Sequence, residues 1–153
     1  MTSFARILED LNEAGVRYVL IGGIALIRHG VVRATRDIDA VFDPAPANVE
    51  RIAVLVSKWK ATRPDGSPIP DDGISPDQSI HLATALGDLD LVSEDVAGFK
   101  FEELLARSDT RKVDGVEAPI CSLPDLVAMK RAVGRERDLA DLADLEAAHG
   151  ELP

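Results

Sequence analysis

The chain has 153 residues, 46% of them hydrophobic and 29% charged, which is an ordinary composition for a globular protein and excludes an intrinsically disordered one. Acidic residues outnumber basic ones 27 to 17, and the net charge of −10 argues against a protein that coats nucleic acid by neutralising phosphates. Aromatic residues make up only 4%, too few to suggest stacking platforms for single-stranded nucleic acid.

The first half of the chain alternates predicted helices and strands. Apolar residues spaced by three and four positions indicate helices, and strict alternation of apolar and other residues indicates a strand. These patterns predict helices over 4–11, 24–29 and 52–59, strands over 17–21 and 37–42, and a long loop over 62–78. The loop is expected because this segment holds four prolines and two glycines.

The second half is expected to contain two hairpins and two helices. The hairpins are predicted over 80–92, turning at Gly87-Asp88, and over 111–120, turning at Asp114-Gly115. Ser122 starts a helix that continues through Val133, and a last helix covers 135–148. The class is therefore α/β (α+β), with a mixed sheet flanked by helices. We expect one domain over 1–153, with a core over 1–120 and C-terminal helices over 122–148.

A glycine pair and an acid pair carry the chemistry that the residues themselves indicate. Gly22 and Gly23 stand at a predicted strand-to-helix turn, where backbone amides can approach a phosphate. Asp37 and Asp39 are two residues apart on a strand, so both carboxylates point to one side and can hold divalent metal. A phosphate site beside a Mg²⁺ site is what phosphoryl or nucleotidyl transfer requires. Each pair alone is a weak signal, and the combination carries the prediction.

With a thirteen-residue spacer between the two pairs, this pattern resembles the nucleotidyltransferase superfamily related to DNA polymerase β. The superfamily has a third acid on a later strand, which corresponds here to Asp90 within Leu89-Asp90-Leu91. More narrowly, the chain resembles small bacterial nucleotidyltransferases akin to the AbiEii-type toxins, of which the run over 126–142 is also typical. The matches span roughly residues 15–145. The resemblance implies a nucleotidyltransferase fold.

The resemblance also implies a reaction and a set of roles. A nucleoside monophosphate would pass from a nucleoside triphosphate such as ATP to a hydroxyl acceptor on RNA, a protein or a small molecule. Asp37, Asp39 and Asp90 would hold Mg²⁺ or Mn²⁺, and Asp90 would accept the proton of the attacking hydroxyl. Lys130 would reach the triphosphate, with Asp138 orienting it or touching the base or acceptor. The other nucleotide-binding residues implied are Gly22, Gly23 and Arg36. Eight acids and no Lys or Arg lie between Pro64 and Phe99, which favours a metal requirement.

Several of these assignments have alternatives. Asp88 is the second candidate for the third acid, and Asp90 is preferred because its apolar neighbours place it in a strand while Asp88 is expected in the turn. Lys130 could instead belong to a solvated helix end, where the helix dipole favours cations. Arg33 and Arg36 either contact phosphate or offset the neighbouring aspartates.

The histidines and the cysteine give little evidence of function. His29 and His81 have no second histidine at ligand spacing, so we expect no metal role for either. Cys121 is predicted to be a small buried apolar residue. A single cysteine and the absence of a signal-peptide pattern favour a cytoplasmic protein, and no apolar run approaches membrane-spanning length.

The alternative function is a catalytically inactive nucleotidyltransferase fold that acts by binding, as an antitoxin-like regulatory protein. Gly23 favours this alternative, because many active members have Ser there, whose hydroxyl can reach a phosphate. A third hypothesis is a metal-dependent phosphohydrolase. The resemblance to AbiEii-type proteins also predicts a cognate toxin or antitoxin as partner.

Overall fold

The structure, a computed structural model, describes residues 3–153. The strands in this range are β1 (Tyr18–Ile21), β2 (Asp37–Phe42), β3 (Ile80–Thr84), β4 (Gly87–Val92), β5 (Asp109–Val113) and β6 (Val116–Ile120). The helices are α1 (Ser3–Glu13), α2 (Gly22–Arg28), α3 (Pro46–Lys58), α4 (Glu94–Ala97), α5 (Phe101–Arg107), α6 (Leu123–Val133) and α7 (Glu136–His149). No helix in the described range is long and apolar enough to cross a membrane.

The strands form one mixed sheet in the order β3-β4-β2-β1-β6-β5. The central strands β1 and β2 are antiparallel, while β2 is parallel to β4 and β1 is parallel to β6. The antiparallel hairpins β3–β4 and β5–β6 therefore lie at the two edges. The predicted class, a mixed sheet flanked by helices, is confirmed.

The alternation predicted for β2 places its apolar side chains in the core and its two aspartates on the opposite face. Ile38, Ala40 and Phe42 are completely buried, whereas Asp37 and Asp39 are half-buried on the opposite face. The core continues through Leu89 and other apolar residues of the neighbouring strands. Burying a large aliphatic or aromatic side chain contributes roughly 1.5–3 kcal/mol, so β2 is anchored by one face while its other face carries polar groups.

The turn of the first hairpin differs from the prediction. It lies at residues 85–86, and Gly87 and Asp88 belong to β4. The cause is the hydroxyl of Thr84, which donates to the Gly87 carbonyl at 2.7 Å and accepts from the Leu86 N–H at 3.0 Å. This side-chain bridge closes the turn before the glycine is reached. Asp88 is consequently a strand residue, so the expectation that it sits in the turn is wrong.

Other element boundaries were also missed. Helix α3 begins at Pro46 rather than near residue 52, because proline suits the first helical position, where its missing N–H costs nothing. The short helices α4 and α5 were not predicted, since neither is long enough to show apolar periodicity. Ser93 begins α4 by accepting from the Val96 N–H at 3.4 Å. The predicted loop over 62–78 is confirmed, with only isolated bridges at Thr62.

Candidate functional site

Four aspartates lie in two register pairs on the parallel strands β2 and β4. Asp37 is opposite Asp88, and Asp39 is opposite Asp90. Paired residues on neighbouring strands project to the same face, so the four carboxylates lie side by side. The structure thus brings together the three acids that the resemblance assigned to metal, and it adds Asp88 to the same face.

The pKa of the Asp39 carboxyl group is raised well above its ordinary value. Burial raises its pKa, and the hydrogen bond with Asp90 together with the charges of Asp90 and Asp37 brings the pKa to about 6. The backbone N–H of Gly23 donates to Asp39 and partly opposes this rise. A hydrogen bond between two carboxyl groups requires a proton between them. Because Asp39 and Asp90 are also paired across the two strands, oxygens of the two carboxyl groups lie close enough to bind one cation together.

The glycine pair makes room for Asp39 and for the loop before β2. Gly22 has a φ of 64°, and a Cβ there would stand 2.2 Å from Asp39 Oδ2. A Cβ on Gly23 would stand 2.7 Å from the hydroxyl oxygen of Thr35, which donates to the Asp37 carbonyl at 3.2 Å. The glycines predicted for phosphate binding thus have a second reason to lack side chains: the close approach of the Asp39 carboxylate to Gly22 and of the Thr35 side chain to Gly23.

His81 joins the acid group, although no metal role was expected for it. It lies opposite Asp90 in the β3–β4 ladder, and its Nδ1 is hydrogen-bonded to Asp90 Oδ1. Its Nε2 is 3.5 Å from Asp88 Oδ2. Partial burial lowers the pKa of His81, but the interactions with Asp90 and Asp88 outweigh burial and raise it above its ordinary value. Only the register of the hairpin reveals this contact, and the displaced turn hid that register from the sequence.

The donor set is compatible with a divalent cation. Within residues 3–153, no three His, Cys, Asp or Glu side chains form a group that could hold a metal ion. Carboxylate oxygens are nevertheless the ligands that Mg²⁺ prefers, and a cation between Asp39 and Asp90 would neutralise the charges whose repulsion helps to raise the pKa of Asp39. The Asp39 carboxylate can lie against the turn at Gly22 because this residue has no side chain. Asp37 lies on the same face but does not complete a three-ligand group as residues 3–153 are arranged, so its carboxylate would have to turn towards Asp39 and Asp90 to be the third donor.

Lys130 lies in a network of ion pairs that joins α6 to α7. Its Nζ donates to Asp141 Oδ2 at 2.8 Å and to Asp138 Oδ1 at 3.3 Å, and its side chain is only 14% exposed. Arg135 donates to Asp138 at 2.7 Å, and Arg33 donates to Asp141 at 2.7 Å. The solvated helix end considered for Lys130 is therefore wrong, because two buried carboxylates hold its amine.

The ion-pair network of α6 and α7 includes one of the two arginines that precede Asp37. Arg33 offsets Asp141 of α7 rather than the aspartates of β2. Arg36 is exposed beside Asp37, and its nucleotide-binding role stays a prediction. Asp138 holds Lys130, which is one of the two roles expected for it. The signal for Asp141 in the sequence is its spacing of three from Asp138, which puts both on one face of a helix.

Acid is expected to weaken the fold through Asp138. Hydrogen bonds from Arg135, opposed by burial and reinforced by Lys130, hold the pKa of Asp138 at about 2. Because this folded-state pKa lies below that of an unfolded aspartate, the stabilisation is complete above about pH 4 and is lost as the pH falls towards 2. The loss between pH 7 and pH 2 is about 2 kcal/mol.

Urea unfolding at both pH values measures this loss. The Asp138→Asn variant has no carboxyl group to protonate, so its free energy of unfolding should fall by about 2 kcal/mol less than that of the wild type. Equal falls in the two proteins would show that Asp138 carries no such linkage.

A family model matches almost the whole chain. It is the model described as "Nucleotidyltransferase of unknown function (DUF6036)", and it covers residues 2–148. None of the curated proteins matches the chain.

Solved structures share the fold at low sequence identity. An antigenic nucleotidyltransferase-like protein from Paracoccidioides brasiliensis is 15% identical, with 94% of this chain and 72% of that chain covered and a TM-score of 0.63. The lincosamide antibiotic adenylyltransferase LnuA, with lincomycin bound, is 16% identical, with 95% and 96% covered and a TM-score of 0.61. The antibiotic-resistance factor ANT(2'')-Ia is 12% identical, with 97% and 83% covered and a TM-score of 0.63. These likenesses concern the fold, and the fold expected from the resemblance is confirmed.

Proposed function

Because the chain belongs to the DUF6036 family of nucleotidyltransferases, we propose that it transfers a nucleoside monophosphate from a nucleoside triphosphate to a hydroxyl acceptor. The observation that carries this proposal is the pairing of Asp39 with Asp90 on neighbouring parallel strands, behind the turn at Gly22. Two neighbouring carboxylates whose negative charges repel each other are suited to hold a divalent metal ion between them.

Asp37, Asp39 and Asp90 would hold the metal in this proposal. Bound Mg²⁺ or Mn²⁺ neutralises charge that develops on the phosphate oxygens during transfer. The oxygen of the acceptor hydroxyl attacks the α-phosphorus, the bond from the α-phosphorus to the bridging oxygen breaks, and pyrophosphate leaves. Asp90 accepts the hydroxyl proton, because it is the more exposed carboxylate of the Asp39–Asp90 pair and can be approached from solvent.

Lys130 would contribute a donor to the phosphates while staying in its network. An ammonium group has three N–H donors, and Asp138 and Asp141 account for two of them. The third is available to a phosphate oxygen. Gly22, Gly23 and Arg36 would line the nucleotide site from the strand-to-helix turn and from the residue before Asp37.

The acceptor is proposed as a hydroxyl on a small molecule or a protein in preference to RNA. The net charge of −10 disfavours RNA, whose phosphates bind through Lys and Arg. LnuA, which shares the fold, is a lincosamide adenylyltransferase and therefore an example of a small-molecule acceptor. An AbiEii-like role with a cognate toxin or antitoxin follows only from the narrower resemblance.

The alternative, a fold that only binds, is favoured by two contacts. The Gly23 N–H, a candidate phosphate donor, is directed to Asp39, and one oxygen of Asp90 is occupied by His81. Both contacts would have to rearrange or be shared when a nucleotide and metal bind.

A labelling experiment tests the proposal against this alternative. The protein is incubated with Mg²⁺, each α-labelled nucleoside triphosphate and total cell lysate. Label is expected on one RNA, protein or small-molecule product and is expected to disappear in Asp39→Ala. Release of free labelled monophosphate without a labelled acceptor would indicate a phosphohydrolase. No product with any nucleotide would overturn the enzymatic proposal and favour the binding-only protein.

A further inference from the structure

One imidazole contacts two of the four aspartates of the site. The Nδ1–H of His81 donates to Asp90 Oδ1, and its Nε2 lies 3.5 Å from Asp88 Oδ2. The His81 side chain is 29% exposed, so it stands at the edge of the acid group and not in the core. It is placed there by the β3–β4 ladder, in which His81 is paired with Asp90.

The hydrogen bond constrains Asp90 more than Asp88. Asp90 is 36% exposed, and a carboxylate on an exposed strand position would otherwise sample several rotamers. One oxygen of Asp90 is held by His81, and the same carboxyl group is hydrogen-bonded to Asp39. Asp39 in turn accepts from the Gly23 N–H. His81 is thus the outer end of a chain of contacts that runs through both candidate metal ligands to the glycine turn.

We propose that His81 is a positioning residue that holds Asp90 so that its other oxygen faces Asp39. The proposal rests on the proposed function, because it assigns to His81 the support of a ligand that the transfer reaction needs. Partners that hydrogen-bond to metal ligands orient them, and their loss typically lowers metal affinity by about 10- to 100-fold. The contact with Asp90, through Nδ1, is the one that matters for this role.

The two nitrogens of the ring can be tested separately. In His81→Asn the side-chain amide replaces the Nδ1 donor, whereas in His81→Gln the amide replaces Nε2, which faces Asp88. His81→Ala removes both. His149→Asn is the matched control, since His149 contacts the His29 carbonyl at the end of α7 and lies outside the acid group.

The measurement is the affinity of the full chain for Mn²⁺ alone, obtained from the electron paramagnetic resonance signal of free Mn²⁺. His81→Asn and His149→Asn are expected to bind like the wild type, and His81→Gln and His81→Ala about 10- to 100-fold more weakly. Thermal melting without metal should be similar for all variants, because the β3–β4 ladder is formed by the backbone. Mn²⁺ serves as the probe because it replaces Mg²⁺ in oxygen sites.

Two outcomes would overturn the inference. If His81→Gln binds Mn²⁺ as tightly as the wild type, or His81→Asn as weakly as His81→Ala, His81 does not position Asp90 through Nδ1. The proposed function would then still stand, because the wild type binds metal. If the wild type binds no Mn²⁺, the metal-dependent function and the inference both fail.

Discussion

Replacing Asp39 with Asn is expected to lower the rate of nucleotidyl transfer by about 1000-fold while leaving the fold intact. Neutralising the charge of the transferred phosphate by bound metal contributes several kcal/mol, and about 4 kcal/mol corresponds to a factor of about 1000. Asn has nearly the same volume as Asp and can still accept from Gly23. Because Asn also removes repulsion between Asp39 and its neighbouring carboxylates, the free energy of unfolding should stay the same or rise.

The transfer rate with α-labelled nucleotide and the urea midpoint measure the two parts of this prediction. Asp144→Asn is the matched control, because Asp144 is exposed on α7, and it should keep the wild-type rate. Asp90→Asn and Asp88→Asn separate the two candidates for the third acid: the first should lose activity and the second should keep most of it. A wild-type rate in Asp39→Asn would contradict the assignment of the metal site.

Replacing Gly22 with Ala is expected to weaken both the fold and the activity. A side chain in the left-handed region costs roughly 1–2 kcal/mol. At Gly22 the added Cβ would also stand 2.2 Å from Asp39 Oδ2, so the carboxylate or the turn has to move. We expect a total loss of about 2–4 kcal/mol, within the range for strain and overpacking in ordered structure. We also expect a transfer rate reduced about 100-fold, as for a reacting group misplaced by about 1 Å.

The Gly66→Ala variant is the control that separates the cost of backbone strain from the cost of the clash with Asp39 in Gly22→Ala. Gly66 has a φ of 83°, and nothing lies within 4 Å of the position of its added Cβ. Its substitution should therefore cost only the roughly 1–2 kcal/mol of backbone strain and leave the activity unchanged. Urea unfolding and the transfer assay apply to both variants. If Gly22→Ala and Gly66→Ala lowered the free energy of unfolding equally, and Gly22→Ala kept the wild-type transfer rate, the turn would not position Asp39.

Much of the fold could be predicted because its signals are local. The alternation of Ile38 and Ala40 with Asp37 and Asp39 indicates both the strand and which side chains leave the core. Ser122 accepts from the Asp125 N–H at 3.2 Å, as expected for the start of α6. The single-domain organisation and the roles of individual site residues stay predictions.

The predictions that were wrong or absent concern features that depend on a single side chain or on residues far apart in the chain. The hairpin turns at residues 85–86 and not at the predicted Gly87-Asp88, because the Thr84 hydroxyl donates to the Gly87 carbonyl and closes the turn earlier in the chain. With the turn at this position, Asp88 belongs to β4 and His81 is paired with Asp90. The alternative for Lys130, a solvated helix end, is wrong because its partners Asp138 and Asp141 come from the next helix, and the part played by Asp141 was not predicted.

The order of residues along the chain was enough to identify the glycine turn, the acid pair and the strand that carries it. Backbone conformation and side-chain periodicity depend on near neighbours, and such features can be recognised in a single sequence. Which groups meet depended on the register of strands that are far apart in the chain. Strand register comes from packing of the whole sheet, and a shift of one residue would move every side chain to the other face. Tertiary structure alone therefore decided that Asp39 lies beside Asp90, that His81 is hydrogen-bonded to Asp90, and that Lys130 is enclosed by carboxylates.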